Sequence, residues 1–220
     1  HHGVALMSRL PMKARQPEEH YALQAVQQLG LKTRILPPNV HRFSGQGDSL
    51  AYGETVFVQS PYRTTSEAHP YLKEYLDFKE VIALRTKPAR RFGIFAKKNK
   101  ETGLPDSPTY DMDLALAILK APQNYQRGII AYCPAVFTRR SRKILKNYEG
   151  ADKIEVSKEE ALHAYALNLL STGETVIMNA GAPHFQAAIE AHGLKTVTLD
   201  LPELKKGGGS IRCSTLTLDN

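Results

Sequence analysis

The chain repeats itself. Gly53-Glu54-Thr55-Val56 returns as Gly173-Glu174-Thr175-Val176, each time opening a short apolar run. Gly30-Leu31-Lys32-Thr33 returns as Gly193-Leu194-Lys195-Thr196, each time just after a helical pattern. Such self-similarity constrains the fold more than composition does. A repeated supersecondary unit cannot bury its apolar face alone, so the copies must pack against one another. Glycine after a helix suits a left-handed cap, because it accepts positive φ without a Cβ penalty.

Set out in full, the unit occurs about four times, as a strand, a helix and a strand. The first copy reads 3–9, 17–29 and 31–36, with Tyr21, Ala22, Ala25, Val26 and Leu29 on one helix face. The second reads 55–59, 66–76 and 81–84. The third reads 128–133, 139–148 with Gly150 as the cap, and 153–156. The fourth reads 175–179, 183–191 and 196–199. The helical segments show i, i+3, i+4 apolar spacing, and the strand segments are short and β-branched or mixed. Further strand-like runs at 114–119 and 167–170 give the last two copies a ββαβ order. The alternative is an ordinary α/β sandwich in which the tetrads coincide. A length of 220 residues with 42% hydrophobic content suits a single domain, with units at 3–37, 50–86, 114–157 and 167–201 and a closing strand at 211–218.

Composition excludes several classes. No run reaches the ~20 apolar residues of a membrane-spanning helix. The two cysteines, Cys133 and Cys213, cannot form a disulfide framework. The histidines His69, His184 and His192 share no metal-ligand spacing and read as surface or capping residues. His1-His2 is either native or the end of a tag. An excess of 29 Lys and Arg over 22 Asp and Glu gives a net charge of +7, which suits an anionic partner. The charge is clustered. Arg85, Lys87, Arg90, Arg91, Lys97, Lys98 and Lys100 form one group, interleaved with Phe92 and Phe95. Arg139, Arg140, Arg142, Lys143 and Lys146 form another along the third helix. Basic residues with interleaved aromatics fit a surface that tracks phosphates and stacks a base, and equally a solvated loop and helix face.

The C-terminal segment Lys205-Lys206-Gly207-Gly208-Gly209-Ser210-Ile211-Arg212-Cys213-Ser214-Thr215 stands apart. Three glycines permit a close backbone approach, and Cys213 follows on a short predicted strand. Beside Arg212 and near Lys205 and Lys206, its thiol is a candidate low-pKa nucleophile. Cys133, inside the run Ile129-Ile130-Ala131-Tyr132, fits a buried structural cysteine.

This segment resembles the nucleophile loop of the guanidine-modifying superfamily, which comprises arginine deiminases, amidinotransferases and dimethylarginine dimethylaminohydrolases. Phe43-Ser44-Gly45-Gln46-Gly47-Asp48 resembles the family's Phe-Glu-Gly-Gln/Gly-Gly-Asp loop. Pro61-Tyr62-Arg63-Thr64 resembles its Arg-Thr pair, and Tyr110-Asp111-Met112-Asp113 resembles its Tyr-His-Leu-Asp. The resemblance implies the α/β fold called the pentein, a β/α propeller of ββαβ units. The first blade is expected to be incomplete, because the family's other guanidinium-binding carboxylate lies in a strand before the equivalent of Gly3. It implies Cys213 as the attacking thiolate, Asp113 as the Asp that follows the catalytic His, and Arg63 as the grip on a substrate carboxylate. Asp48 and Ser44 fall in the substrate loop. No metal or cofactor is implied.

Two positions depart from the pattern. Ser44 stands where the family has a guanidinium-binding Glu, and Asp111 where it has the catalytic His. A serine does not neutralise a buried guanidinium. An aspartate near Cys213 is expected to disfavour the thiolate, although a carboxyl with a raised pKa can carry protons. These departures and the basic clusters lead to the expectation of a catalytically degenerate subunit. Its partners would be RNA or protein subunits of a larger assembly such as a mitochondrial ribosome, in the mitochondrial matrix or the cytoplasm. The alternative is an active cysteine-dependent hydrolase or amidinotransferase on arginine-like or methylarginine-like guanidino substrates.

Overall fold

A computed structural model describes residues 1–91 and 95–218. Contacts separate two compact units: His1–Asp111 together with Thr217 and the residues after it, and Met112–Leu216.

The first unit opens with β1 (Val4–Leu6), α1 (Glu18–Gln28) and β2 (Lys32–Arg34), in which β1 and β2 pair in parallel. Next come β3 (Ser49–Tyr52), β4 (Thr55–Gln59), α2 (His69–Leu76) and β5 (Glu80–Leu84). Here β3 runs antiparallel to β4, and β4 runs parallel to β5 with Thr55 opposite Glu80 and Gln59 opposite Leu84. The short strands β6 (Arg90–Arg91) and β7 (Phe95–Ala96) pair antiparallel. Val56 and Val58 from β4 and Leu72 from α2 bury together with Leu36, Val40, Phe43, Ala68 and Phe78. That cluster roots the loop 43–48 and the segment after β4 in the core.

The second unit contains β8 (Leu116–Lys120), β9 (Gly128–Tyr132), α3 (Arg139–Asn147) and β10 (Ala151–Glu155). It continues through α4 (Lys158–His163), β11 (Leu170–Ser171), β12 (Thr175–Asn179), α5 (Pro183–Ala191), β13 (Lys195–Leu199) and α6 (Pro202–Lys206). Again an antiparallel pair leads into a parallel one, in β8-β9-β10 and in β11-β12-β13. The repeating ββαβ unit is therefore present three times with one pairing scheme. Both Gly-Glu-Thr-Val tetrads turn into the second strand of a unit, with positive φ at Gly53 (57°) and Gly173 (86°). Both Gly-Leu-Lys-Thr glycines close a helix in the left-handed region, at 75° and 79°.

Several expectations are corrected. The second copy of the repeat also has the preceding strand, β3, which is only four residues long and alternates in burial, so it shows no distinct apolar run. The run 167–170 contributes only its last residue to β11. The face expected to be buried on α1 keeps only Val26 inside; Tyr21 is 69% and Leu29 55% exposed. Among the described residues β1 and β2 pair only with each other, and so narrow a sheet covers little of a helix. Gly150 does not cap α3, whose C-cap Tyr148 is extended. A Cβ on Gly150 would instead lie 2.6 Å from the Tyr148 ring, so glycine is there for space. The segment 211–218 is no strand. Arg212–Ser214 forms a 3-10 turn, closed by Ser214 N–H and Oγ on the Ser210 carbonyl and by Thr215 N–H on that of Arg212. Among the described residues no helix is long and apolar enough to cross a membrane.

Candidate active site

In the first unit the site is built from the ends of β4. Gln59, the last residue of that strand, is fully buried, and its Nε2 donates to the carbonyls of Thr109 and Tyr110 (both 3.0 Å) and to Asp48 Oδ1 (3.4 Å). It thereby fixes the backbone just before Asp111. Asp48, also fully buried, helps hold this strand end. Arg63, four residues beyond β4, donates from Nη1 to Asp111 Oδ2 at 2.8 Å, and its guanidinium carbon sits 4.0 Å above the centre of the Tyr110 ring. The Ser44 hydroxyl donates to Asp111 Oδ1 at 3.0 Å, while Ser44 N–H donates to Thr64 Oγ1. A Cβ on Gly47 would lie 3.2 Å from Asp111 Cγ, so this glycine gives the carboxylate room. Burial pushes the Asp111 carboxyl above its ordinary range, opposed by the Arg63 charge and the Ser44 hydrogen bond.

In the second unit the centre is Cys213. Its side chain is exposed and its thiol is not in a disulfide, whereas Cys133 is fully buried. The thiol donates to Asp113 Oδ2 at 3.6 Å. Asn168 grips the same residue twice: its Oδ1 accepts from Cys213 N–H (3.3 Å) and its Nδ2 donates to Sγ (3.2 Å). Behind Asn168 stands Asn179, the last residue of β12, which donates to the carbonyls of Tyr165 (3.0 Å) and Asn168 (3.4 Å). Asn179 Oδ1 accepts from Ser210 Oγ at 2.5 Å. The triple glycine now has a physical role. Gly208 sits at φ +89°, and a Cβ on Gly209 would lie 3.0 Å from Cys213 Cβ and 3.3 Å from its sulfur. What approaches the glycines closely is the cysteine itself.

The structure thus brings Ser44, Arg63 and Asp111 into one cluster and Cys213 and Asp113 into another. Sequence reasoning missed Gln59, Asn168, Asn179 and the contact made by Ser210. One signal was available: Asn168 interrupts the apolar run Ala166-Leu167-Asn168-Leu169-Leu170, and a buried amide in such a run needs partners. His184 and His192 are exposed as expected, but the Nε2 of His69 is buried, and burial lowers its pKa. Among the described residues no three His, Cys, Asp or Glu side chains gather as a metal ion would require. Of the basic groups, Arg85, Lys87, Arg90, Lys97, Lys98, Lys100, Arg139, Arg140, Arg142 and Lys143 are exposed, and Lys97 is paired with Asp106 at 3.3 Å. Phe92 and the Arg91 side chain lie outside what the structure describes.

No family model matches the chain. A dimethylarginine dimethylaminohydrolase of Mycobacterium tuberculosis is 30% identical over 99% of this chain and 62% of its own length. A bifunctional arginine dihydrolase/ornithine cyclodeaminase of Nostoc is 27% identical over 96% of this chain and 27% of its own length. The chain thus spans less than two thirds of these relatives. The solved N-terminal domain of ArgZ, a cyanobacterial arginine dihydrolase bound to product, superposes with a TM-score of 0.79 at 25% identity, covering 97% of this chain and 70% of that one. The chain is similar over nearly its whole length to members of the guanidine-modifying superfamily and shares their pentein fold.

These likenesses overturn the expectation of a degenerate subunit in an RNA-containing assembly. Pentein relatives that match nearly the whole chain are named for hydrolysis of arginine derivatives, and a product complex shares its fold. The like-charge objection also loses its force, because the Asp111 carboxylate is matched by Arg63 and Ser44. The sulfur meanwhile has a donor and an acceptor of its own. RNA partners and a mitochondrial compartment find no support in these comparisons.

Proposed function

We propose that this chain is a cysteine-dependent hydrolase acting on the guanidino group of an arginine-like or methylarginine-like small molecule. One observation carries the reading. An exposed thiol donates to a buried carboxylate, Asp113, while accepting from an amide, which is the pairing of nucleophile and base that covalent catalysis uses. Asp113 takes the thiol proton, and the thiolate adds to the guanidinium carbon. The C–N bond to the departing nitrogen breaks, that nitrogen leaves as an amine with a proton, and an S-linked amidino intermediate remains. Water gives a proton to Asp113 and attacks the same carbon, the C–S bond breaks, and the thiolate is regenerated. The products are a ureido compound and an ammonium ion. In this reading Arg63 gives up its bond to Asp111 in favour of the substrate's carboxylate. Ser44 and Asp111 complete the recognition group, with Asp48 supporting it from behind.

The test is release of ureido product from arginine and methylarginines by the purified chain. Wild type is expected to turn over, C213A to be inactive, and D113N to lose about 10²–10⁴-fold, the usual worth of general base help. Absence of turnover in wild type, or its persistence in C213A, would overturn the reading.

A further inference from the structure

We infer that Asn168 is the group that holds the Cys213 sulfur in its ionised form, and that Asn179 and Ser210 fix Asn168 for this task. The inference rests on the hydrolase reading for its purpose, but its geometry stands alone. Asn168, Asn179 and Ser210 are each fully buried, and all three lead to one exposed sulfur. Burying three neutral polar side chains in series is costly unless every hydrogen bond is made, so the chain of contacts is a built feature.

The direction of the Asn168 amide is dictated by its surroundings. Cys213 N–H has only a proton to give, so the oxygen of the Asn168 side chain must face it at 3.3 Å. The amide NH₂ is thereby aimed at Sγ, at 3.2 Å. Asn179 sets where Asn168 stands by bonding the carbonyls of Tyr165 and Asn168 on either side of the turn. Tyr165 adopts φ 53°, so that turn is not one its sequence favours unaided. Ser210 orients Asn179 in turn, and belongs to the same glycine-rich loop that carries Cys213. The loop is therefore tied at two points, through Ser210 to β12 and through Cys213 to Asn168.

The chemical consequence follows from the proton count at sulfur. As a thiol, Sγ gives its proton toward Asp113 and accepts from Asn168. Once the proton has moved, the Asn168 contact becomes a hydrogen bond to an anion, which is shorter and stronger. Asn168 thus favours the ionised sulfur, while Asn179 and Ser210 act only through it.

The experiment is the pH dependence of Cys213 alkylation by iodoacetamide, read by mass spectrometry of the peptide carrying Cys213. Thermal melting of each variant establishes that it is folded. N168D keeps the shape but replaces the donor with a charge, and is expected to move the midpoint upward by at least about one pH unit, so that labelling near neutrality slows about tenfold. S210A leaves Cys213 untouched and is expected to move the midpoint in the same direction by less. N168S, with a short hydroxyl donor, is expected to fall between wild type and N168D. A folded N168D with an unmoved midpoint would refute the inference, as would a folded S210A with unmoved midpoint should N168D not fold. Wild type that fails to hydrolyse guanidino compounds yet shows these shifts would sink the hydrolase reading and leave the inference standing.

Discussion

The Asp111 cluster and the Cys213 cluster solve opposite problems with the same device. Around Asp111 a charge is buried, 6% exposed, and is made tolerable by an opposite charge and a hydroxyl. Around Cys213 the sulfur-bearing side chain stays exposed, and beneath it lie one buried carboxylate, Asp113, and the buried neutral side chains of Asn168, Asn179 and Ser210. Each cluster contains a glycine placed where a Cβ would crowd the side chain: Gly47 against Asp111, and Gly209 against Cys213. The contrast separates two physical tasks. At Asp111 an ion pair is retained in a region of low dielectric, where the field of Arg63 acts strongly. The Cys213 sulfur is instead held in direction by one neutral amide, Asn168, and by a single carboxylate, with access to solvent.

That contrast is broken most forcefully at Arg63. R63A leaves the Asp111 carboxylate buried without its counter-charge and is expected to cost about 3 kcal/mol, the low end for a broken buried pair. Urea unfolding measures it. A loss below 1 kcal/mol would mean that Ser44 and solvent suffice, and the ion pair would cease to define the cluster. Adding D111N should recover part of the loss, since no charge then remains to be matched.

A smaller effect is expected at Ser44. S44A removes one hydrogen bond to a buried carboxylate and is expected to cost about 1–2 kcal/mol in the same assay. The thiol labelling rate of Cys213 should remain unchanged. A slower rate would show that the clusters are energetically linked.

The subtlest effect is in pH. Burial raises the Asp111 pKa above its ordinary 3.8, so the folded chain binds this proton more readily than the unfolded one. The stability this confers is complete below the unfolded pKa and is lost as pH rises through the folded one. Wild type should therefore lose stability relative to D111N as pH climbs through that window, with a slope no steeper than about 1.4 kcal/mol per pH unit. A difference that grows in favour of wild type with rising pH would show that the Arg63 attraction outweighs burial.

Much of the fold was legible before any coordinate. Thr175–Asn179 and Pro183–Ala191 were bounded correctly because β-branched strands and a proline-led helix carry strong local signals. The tetrads were informative because their glycines serve turns and caps, which depend on φ at one residue. The strand β3 and the helix α4 escaped notice because each is too short for periodicity to accumulate. At α4 the decisive local feature is a cap, with Ser157 Oγ accepting from Glu160 N–H at 3.1 Å. Glu160 in turn accepts from His184 N–H and Phe185 N–H at the start of α5, where Ala182 offers no side-chain cap.

The chain's residue types by themselves determined the repeat and the ββαβ unit, because these rest on local propensity, while motif order singled out Cys213, Arg63, Asp111 and Asp113 as candidates. Only the tertiary structure decided what those residues meet. From sequence, an aspartate in place of a histidine looked like damage to the site. In the folded chain the same carboxylate is answered by Arg63, 48 positions away, and by Ser44, 67 positions away. Cys213 likewise takes its donor from Asn168, 45 positions away. Hydrogen bonds and ion pairs act over about 3 Å, and which groups come that close is set by packing rather than by spacing along the chain.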